Sequence, residues 1–356
     1  MSVRRSPAVR FVFLFLSILF SLALSACSSD LPQTTLEPKS FNAAEIQHLF
    51  EPIFWAAAAV FIVVEALLVY SAFRFRAGAN AKAIPEQIHG NTPLEIGWTI
   101  APAVILGIIF LLTAQTLNAV SYPQASAANT INVKVFGHQW WWEFQYPDIK
   151  TAEGKPLVTA TDLHIPANAL VNYTLESVDV IHSFWVPALN GKTDVIPGHV
   201  NHGFFNAAQV VDTVGQCAEF CGAEHAQMRF RVYVQSDADF QAWVKGQQAL
   251  PATPTGLAKT GADLFAKSSC IGCHTIGGTA AAGLVGPNLT HFGSRATIAA
   301  GTLTNTPENL SKWLHNPEAV KPGNDMSVAM VSQVQTWGGD ADSNIAALVA
   351  YLESLK

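Results

Sequence analysis

Charge is what this sequence has least of. Asp, Glu, Lys and Arg make up 13% of its 356 residues, 50% are hydrophobic, and the mean hydropathy is positive. Such a chain is not built of soluble domains alone; membrane segments beside ordinary globular domains fit it better. An excess of basic residues is also missing. The net charge of −6 argues against a nucleic-acid binder, which carries a basic face. The acidic surplus sits in the middle: residues 120–250 hold seven basic and twelve acidic residues, against seven and seven in 1–119 and six and seven in 258–356. An acidic surface of that kind steers a basic partner protein or simply keeps a domain soluble. Cysteine is scarce and odd in number. With only Cys27, Cys217, Cys221, Cys270 and Cys273, a plain disulfide framework leaves one over. The length suits two or three domains.

The apolar residues are concentrated near the start. Residues 1–27 read as a secretory signal: Arg4, Arg5 and Arg10, an apolar run from Phe11 to Leu24, then Ser25, Ala26 and Cys27. This ending resembles a bacterial lipoprotein box, which implies lipidation of Cys27; an uncleaved anchor helix with an incidental cysteine is the alternative. Two more stretches, about 52–73 and 94–117, are long enough to cross a hydrocarbon core, which takes about 20 residues. Arg74, Arg76 and Lys82 lie between them, and the positive-inside rule places that loop in the cytoplasm. Everything after about residue 120 then faces outward, with or without cleavage of the first segment. Glu65 lies within the first span and Glu95 opens the second. Ionisable groups at membrane depth are functional candidates, although Glu65 also suits a pairing with a neighbouring subunit and Glu95 an interfacial position.

From Thr130 to Gln235 apolar residues alternate with polar ones, at Ile131, Val133, Val135 and again at Phe230, Val232, Val234. Pro147, Pro166 and Pro187 punctuate the pattern, which predicts an antiparallel β-sandwich or barrel. Near its end Cys217, Cys221, His225 and Met228 fall within twelve residues, and His182 is available upstream. Thiolates with imidazole select copper or zinc. The thioether argues for copper, since structural zinc sites use Cys, His and carboxylates. A disulfide or a structural zinc loop leaves Met228 unexplained, and the disulfide leaves both histidines without a role.

This cluster resembles the binuclear copper centre of the cytochrome c oxidase subunit II family. So do Gly137-His138-Gln139-Trp140-Trp141-Trp142-Glu143-Phe144, Asp179-Val180-Ile181-His182-Ser183-Phe184-Trp185-Val186-Pro187 and Lys192-Thr193-Asp194-Val195-Ile196-Pro197-Gly198. The likeness covers about residues 45–235 and implies a cupredoxin-like domain at 121–246 behind a two-helix hairpin at 28–120. It also implies roles: Cys217 and Cys221 bridge two coppers, His182 and His225 each cap one, Met228 is a weak ligand, and the Glu219 backbone carbonyl is another. The Glu219 carboxylate is implied to help bind magnesium at the interface with subunit I, Trp140 to be the electron entry point, and Glu95 to lie near the mouth of a proton channel. For Trp141 and Trp142, packing or anchoring at the membrane surface is the plainer role.

Residues 247–257, small and proline-rich, read as a linker with some stiffness. After it, Cys270-Ile271-Gly272-Cys273-His274 is the c-type haem attachment pattern. It predicts thioether bonds at Cys270 and Cys273 and His274 beneath the iron. A sixth ligand from methionine raises the reduction potential, and downstream only Met326 and Met330 are available. The stretch from Asn316 to Met326 resembles the axial-methionine loop of small class I cytochrome c domains. Family loops usually continue with proline where Ser327 stands, which keeps Met330 as the alternative. Gly286, Pro287, Asn288 and Leu289 resemble a haem-edge segment, and Leu264, Phe265, Ile345, Leu348, Val349 and Leu352 mark the first and last helices of an all-α domain at 258–356. Trp313, Trp337 and Tyr351 read as core or haem packing. His48, His89, His138, His164, His199, His202, His291 and His315 lack partners at ligand spacing and read as solvated or hydrogen-bonded.

The whole chain thus resembles subunit II of a caa-type oxidase, a multidomain membrane protein with a transmembrane α-helical hairpin, a cupredoxin-like domain and a fused cytochrome c domain. The resemblance implies electron transfer from cytochrome c or another donor through haem c and copper to a haem of subunit I, where oxygen is reduced to water with proton translocation. It implies subunits I and III and membrane lipid as partners, and the outer face of a bacterial cytoplasmic membrane as the place. The copper subunit of a nitric oxide reductase is the alternative. A metal-delivery protein would need more exposed ligands, and a quinol oxidase subunit would lack the copper ligands.

Overall fold

The computed structural model describes residues 33–76, 87, 89–121 and 129–356, with Leu14, Ser17, Ile18 and Ser21 of the first segment. Cys27 and Lys82 lie outside the described residues. Two helices, α1 (Phe41–Arg74) and α2 (Thr92–Ser121), are long and apolar enough to cross a membrane. Helix α1 begins well before the apolar stretch and runs through Pro52 rather than starting there. Its start is set by a cap and by docking, not by hydropathy: the Ser40 hydroxyl accepts from the Ala43 amide at 3.0 Å, and the Lys39 amide donates to the Ala188 carbonyl of the β-domain at 2.8 Å. Asn42 and Ala43 are buried there.

Ten strands follow: β1 (Asn129–His138), β2 (Trp141–Lys150), β3 (Pro156–Ala160), β4 (Asp162–Pro166), β5 (Ala169–Ser177), β6 (His182–Trp185), β7 (Thr193–Val195), β8 (Asn201–Asn206), β9 (Val211–Cys217) and β10 (Arg229–Gln235). They form two five-stranded sheets, ordered β3-β2-β1-β5-β8 and β4-β10-β9-β6-β7. Ile131, Val133 and Val135, like Phe230, Val232 and Val234, are buried while their neighbours are not, as period two requires. Two features differ from the antiparallel expectation. The pairs β1/β5 and β4/β10 are parallel, because the chain visits other strands before returning instead of closing a hairpin. Pro147 does not end a strand; it sits in β2 where the register shifts between Tyr146 and Lys150, so its missing N–H breaks no regular ladder. The core is aromatic: Phe184 stacks on Phe230 at 5.0 Å, and Trp142 meets both edge-on. Trp142 is thus a core residue rather than a membrane anchor.

Helix α3 (Asp237–Gln248) packs on the sandwich, with Phe240 in its core. Its Trp243 stacks on His164, which stacks on Tyr233 in turn, at 4.3 and 4.5 Å. The third domain comprises α4 (Gly256–Lys267), the one-turn α5 (Cys270–Cys273), α6 (Pro307–His315), α7 (Pro317–Val320), α8 (Asp325–Thr336) and α9 (Ala341–Ser354), with a small hairpin at Thr297–Ile298 and Leu303–Thr304. Phe265 of α4 meets Tyr351 of α9 edge-on at 5.8 Å, and Ile345, Leu348, Val349 and Leu352 are buried beside it.

This domain rests on the β-domain along a seam. The Arg229 amide donates to Ala300 at 3.2 Å, the Gly278 amide to the Glu153 carboxylate at 3.0 Å, and His291 Nε2 bonds the Gln247 carbonyl at 3.1 Å. Trp141 forms a small apolar cluster with Ala160 and Ala300. At the same seam Asp162 is buried, and burial pushes its carboxyl up to about 7 against the pull of Arg295 and Arg231. A free aspartate titrates near 4. Between those values the folded chain therefore holds a proton that the unfolded chain has lost, so this group's contribution makes stability fall as pH rises from about 4 to 7. Asp162→Asn should remove that slope and leave the variant more stable than the parent at pH 8, by about 1–3 kcal/mol. Thermal melts at pH 5 and pH 8 check this; equal shifts at both values would reject it.

Candidate functional site

Strand pairing assembles the first site. Phe184 of β6 pairs with Cys217, the last residue of β9, which brings the start of β6 and its His182 beside the thiol. The loop from Cys217 to Met228 is pinned at its base, where the Cys217 amide donates to Met228 and the Ala218 amide to Ser183, both at 2.9 Å. His182 Nδ1 lies 3.9 Å from Cys217 Sγ, and the two sulfurs are 3.7 Å apart. His225 Nδ1 is 3.6 Å and Met228 Sδ 3.8 Å from Cys221 Sγ. The Glu219 carbonyl is 3.2 Å from Cys217 Sγ, while its side chain is exposed. Among the described residues, His182, Cys217 and Cys221 are the one group of three or more His, Cys, Asp or Glu residues close enough to hold a metal ion. All three are buried. The two sulfurs are tightly coupled: their mutual hydrogen bond pushes the Cys217 thiol down and that of Cys221 up.

Asp179 is the residue whose part the spacing did not disclose. Its carboxylate lies 2.7 Å from His182 Nε2 and accepts from the Gln139 and Val180 amides at 2.6 Å each. The ring is thereby fixed with Nδ1 towards the sulfurs. Burial opposes protonation of His182, but the contacts with Asp179 and Cys217 outweigh it and raise the pKa. Gly137 leaves the room: a Cβ there would stand 2.7 Å from the His182 ring. The sequence signal for Asp179 is only that it precedes His182 by three residues on an extended turn.

A second site opens between the domains. A cavity is lined by Cys270, Cys273, His274, Arg295, Met326 and Met330 from one side, and by Gln139, Trp140 and Trp141 from the other. Trp313 also lines it, whereas Trp337 packs against the domain core. His274 Nδ1 is 2.8 Å from the Pro287 carbonyl, which leaves Nε2 free for an axial bond. Desolvation lowers its pKa and so favours the neutral, ligating imidazole. Gly286 makes space for this ring as Gly137 does for the other, since a Cβ would come within 2.5 Å of it. Arg295 is half-buried and its guanidinium donates to the Asn288 carbonyl; desolvation lowers its pKa to about 10. A partly desolvated cation on a cavity wall suits the propionate of a porphyrin. Trp140 spans the two sites. Its indole N–H donates to the Cys221 carbonyl at 2.9 Å, and Gln139 Nε2 donates to the same oxygen at 2.7 Å.

The remaining expected residues divide. The Glu95 carboxylate accepts from the Asn91 amide at 3.1 Å and so tethers the start of α2. Glu65 is exposed on α1. His138 stacks on Trp141 at 4.0 Å, His291 bonds across the seam, and His315 pairs with Asp342 at 2.9 Å.

Residues 131–235 match the family model of the cytochrome c oxidase subunit II periplasmic domain, 33–115 that of its transmembrane domain, and 258–356 that of cytochrome c. A cytochrome c oxidase subunit 2 of Alkalihalophilus pseudofirmus is 38% identical over 348 residues, 97% of this chain and 96% of that protein. The chain belongs to the cytochrome c oxidase subunit II family. Similar subunits of Bacillus sp. strain PS3 and Bacillus subtilis are 38% and 34% identical, each over 80% of both chains. The three matched segments in one chain are those of a caa-type subunit, with copper and haem c as the groups its domains imply. It is a membrane subunit with an outer domain, and it works within a haem-copper oxidase beside other subunits.

Proposed function

We propose that this chain carries electrons from cytochrome c or another donor protein to subunit I of a terminal respiratory oxidase on the outer face of a bacterial cytoplasmic membrane, with subunit III as a further partner. When bound, haem c and the binuclear copper supply the one-electron chemistry that links the donor to the haem of subunit I, where oxygen becomes water with proton translocation. In this reading Cys217 and Cys221 bridge the metals, His182 and His225 cap them, and Met228 and the Glu219 carbonyl are weak ligands. Asp179 holds His182 in its ligating tautomer, and the buried β-sandwich keeps the loop from rearranging. Cys270 and Cys273 hold the haem covalently, His274 and Met326 are its axial pair, and Arg295 receives a propionate. The exposed Glu219 carboxylate meets magnesium at the subunit I interface, Glu95 stands at the mouth of a proton channel, and Cys27 takes a lipid.

The observation that carries this reading is the shared wall of the two sites. Trp140 lines the crevice that holds Cys270, Cys273 and His274 and hydrogen-bonds the Cys221 carbonyl of the copper loop. The test is made on the purified complex. A mixed-valence copper signal, haem that stays on the chain in a denaturing gel, and oxygen uptake are expected. A mononuclear copper signal or full zinc occupancy would reject the copper centre, and consumption of nitric oxide instead of oxygen would move the chain to a nitric oxide reductase.

A further inference from the structure

Lys321 lies between α7 and α8 of the cytochrome domain and is only 4% exposed. Its ammonium donates not to its own domain but to two backbone carbonyls of the copper domain, Trp140 at 2.5 Å and Gln227 at 3.3 Å. Glu224, itself buried, supplies the facing negative charge and has one carboxylate oxygen without a hydrogen-bond partner. Burying an ammonium is costly unless it is paired and bonded, so such a group fixes one arrangement rather than adding general adhesion. The position is informative. The Lys321 carbonyl accepts from Asn324, whose side chain caps α8 by accepting from the Ser327 amide at 3.1 Å. One short segment therefore ties Trp140 to the helix that carries Met326. Across the junction, Trp140 is held at both ends, its carbonyl by Lys321 and its indole by Cys221.

We propose that Lys321 is a positioning residue that latches the haem crevice onto Trp140, so that the copper centre is served by the haem of its own chain in one fixed geometry. This rests on the electron-transfer reading above. Burial lowers the Lys321 pKa to about 8 against the pull of Glu224, in keeping with a site shut off from water. Without the latch the linker and the other seam contacts still keep the domains together, but the Trp140 carbonyl is no longer fixed against the crevice.

The experiment uses the full chain in its assembled, copper- and haem-loaded complex, with Lys321→Met. The haem is photoreduced and the intrachain reduction of copper is followed, while exchange of the Arg229 amide, which bonds across the seam, is read by mass spectrometry. Loss of a charged donor to backbone carbonyls predicts a fall of about tenfold or more in the fast intrachain phase, with a parallel rise in Arg229 exchange. Both reduction potentials and both spectra should stay as in the parent, a pattern that damage to either site would not give. An unchanged rate with unchanged exchange overturns the latch. Lys321→Gln, closer to the parent in polarity, is read by the same two measurements if the methionine variant does not assemble. A parent with no intrachain transfer would reject the electron-transfer reading, and Arg229 exchange in the variant would still decide whether Lys321 holds the seam.

Discussion

Cys217→Ser is expected to destroy the binuclear copper centre while leaving the β-domain folded. The substitution is nearly isosteric, and Cys217 sits at the end of β9 where its amide bond to Met228 does not depend on the sulfur. What is lost is a soft ligand at the point where His182, Cys221 and the Glu219 carbonyl converge. A hydroxyl does not bridge two coppers as a thiolate does. Removing even an outer partner of a metal ligand costs about 10–100-fold in affinity or activity, so loss of a bridging ligand should cost more than about 100-fold in turnover. Copper per chain and the resonance signal check this together. Retention of both metals with a mixed-valence signal would show that Cys217 is not a bridge. Asp179→Asn offers a graded companion, since it leaves the ligands in place and removes the carboxylate that orients His182.

Met326→Ala should lower the haem potential by about 100 mV or more, part of the roughly 0.8 V range that axial ligands control. Met326 and Met330 both line the crevice, one helical turn apart on α8. Met330 is buried in the domain core, whereas Met326 is half-buried at the helix start. Met330→Ala is therefore expected to cost stability, about 2–4 kcal/mol as a core truncation, and to leave the potential close to the parent's. The reverse pattern would transfer the ligand to Met330. Ser327, where related loops continue with proline, has a local use: its amide and hydroxyl both bond the capping Asn324. The helix starts by side-chain capping instead of by a ring.

Of these two residues, Cys217 was legible from local spacing, whereas Met326 came from the resemblance to an axial-methionine loop and shared that role with Met330. The copper loop and the haem pattern place their ligands within a few residues, so chemistry and separation suffice to read them. The hairpin and the inward residues of β1 and β10 were legible because apolar length and period two survive in any tertiary context. Other features depend on contacts that spacing does not encode. The parallel pairs β1/β5 and β4/β10 arise from how the chain crosses the sandwich. Helix α1 is capped at Ser40, where the Lys39 amide and the Asn42 side chain dock on the β-domain, a preference invisible to a hydropathy count. For Trp141 the sequence left packing and membrane-surface anchoring open, and the contact with Ala300 across the seam decides for packing. Lys321 carried no signal at all, since a lone lysine in a proline- and glycine-bearing loop reads as solvated until the seam places two carbonyls against it.

The central claim is that haem and copper share one chain and face each other through Trp140. Laser photoreduction of the haem, followed by copper reduction at several protein concentrations, tests it most directly. A first-order rate that does not change with concentration, and that falls when Trp140 is replaced by alanine, is the predicted result. A rate proportional to protein concentration, or an intrachain rate indifferent to Trp140, would contradict it.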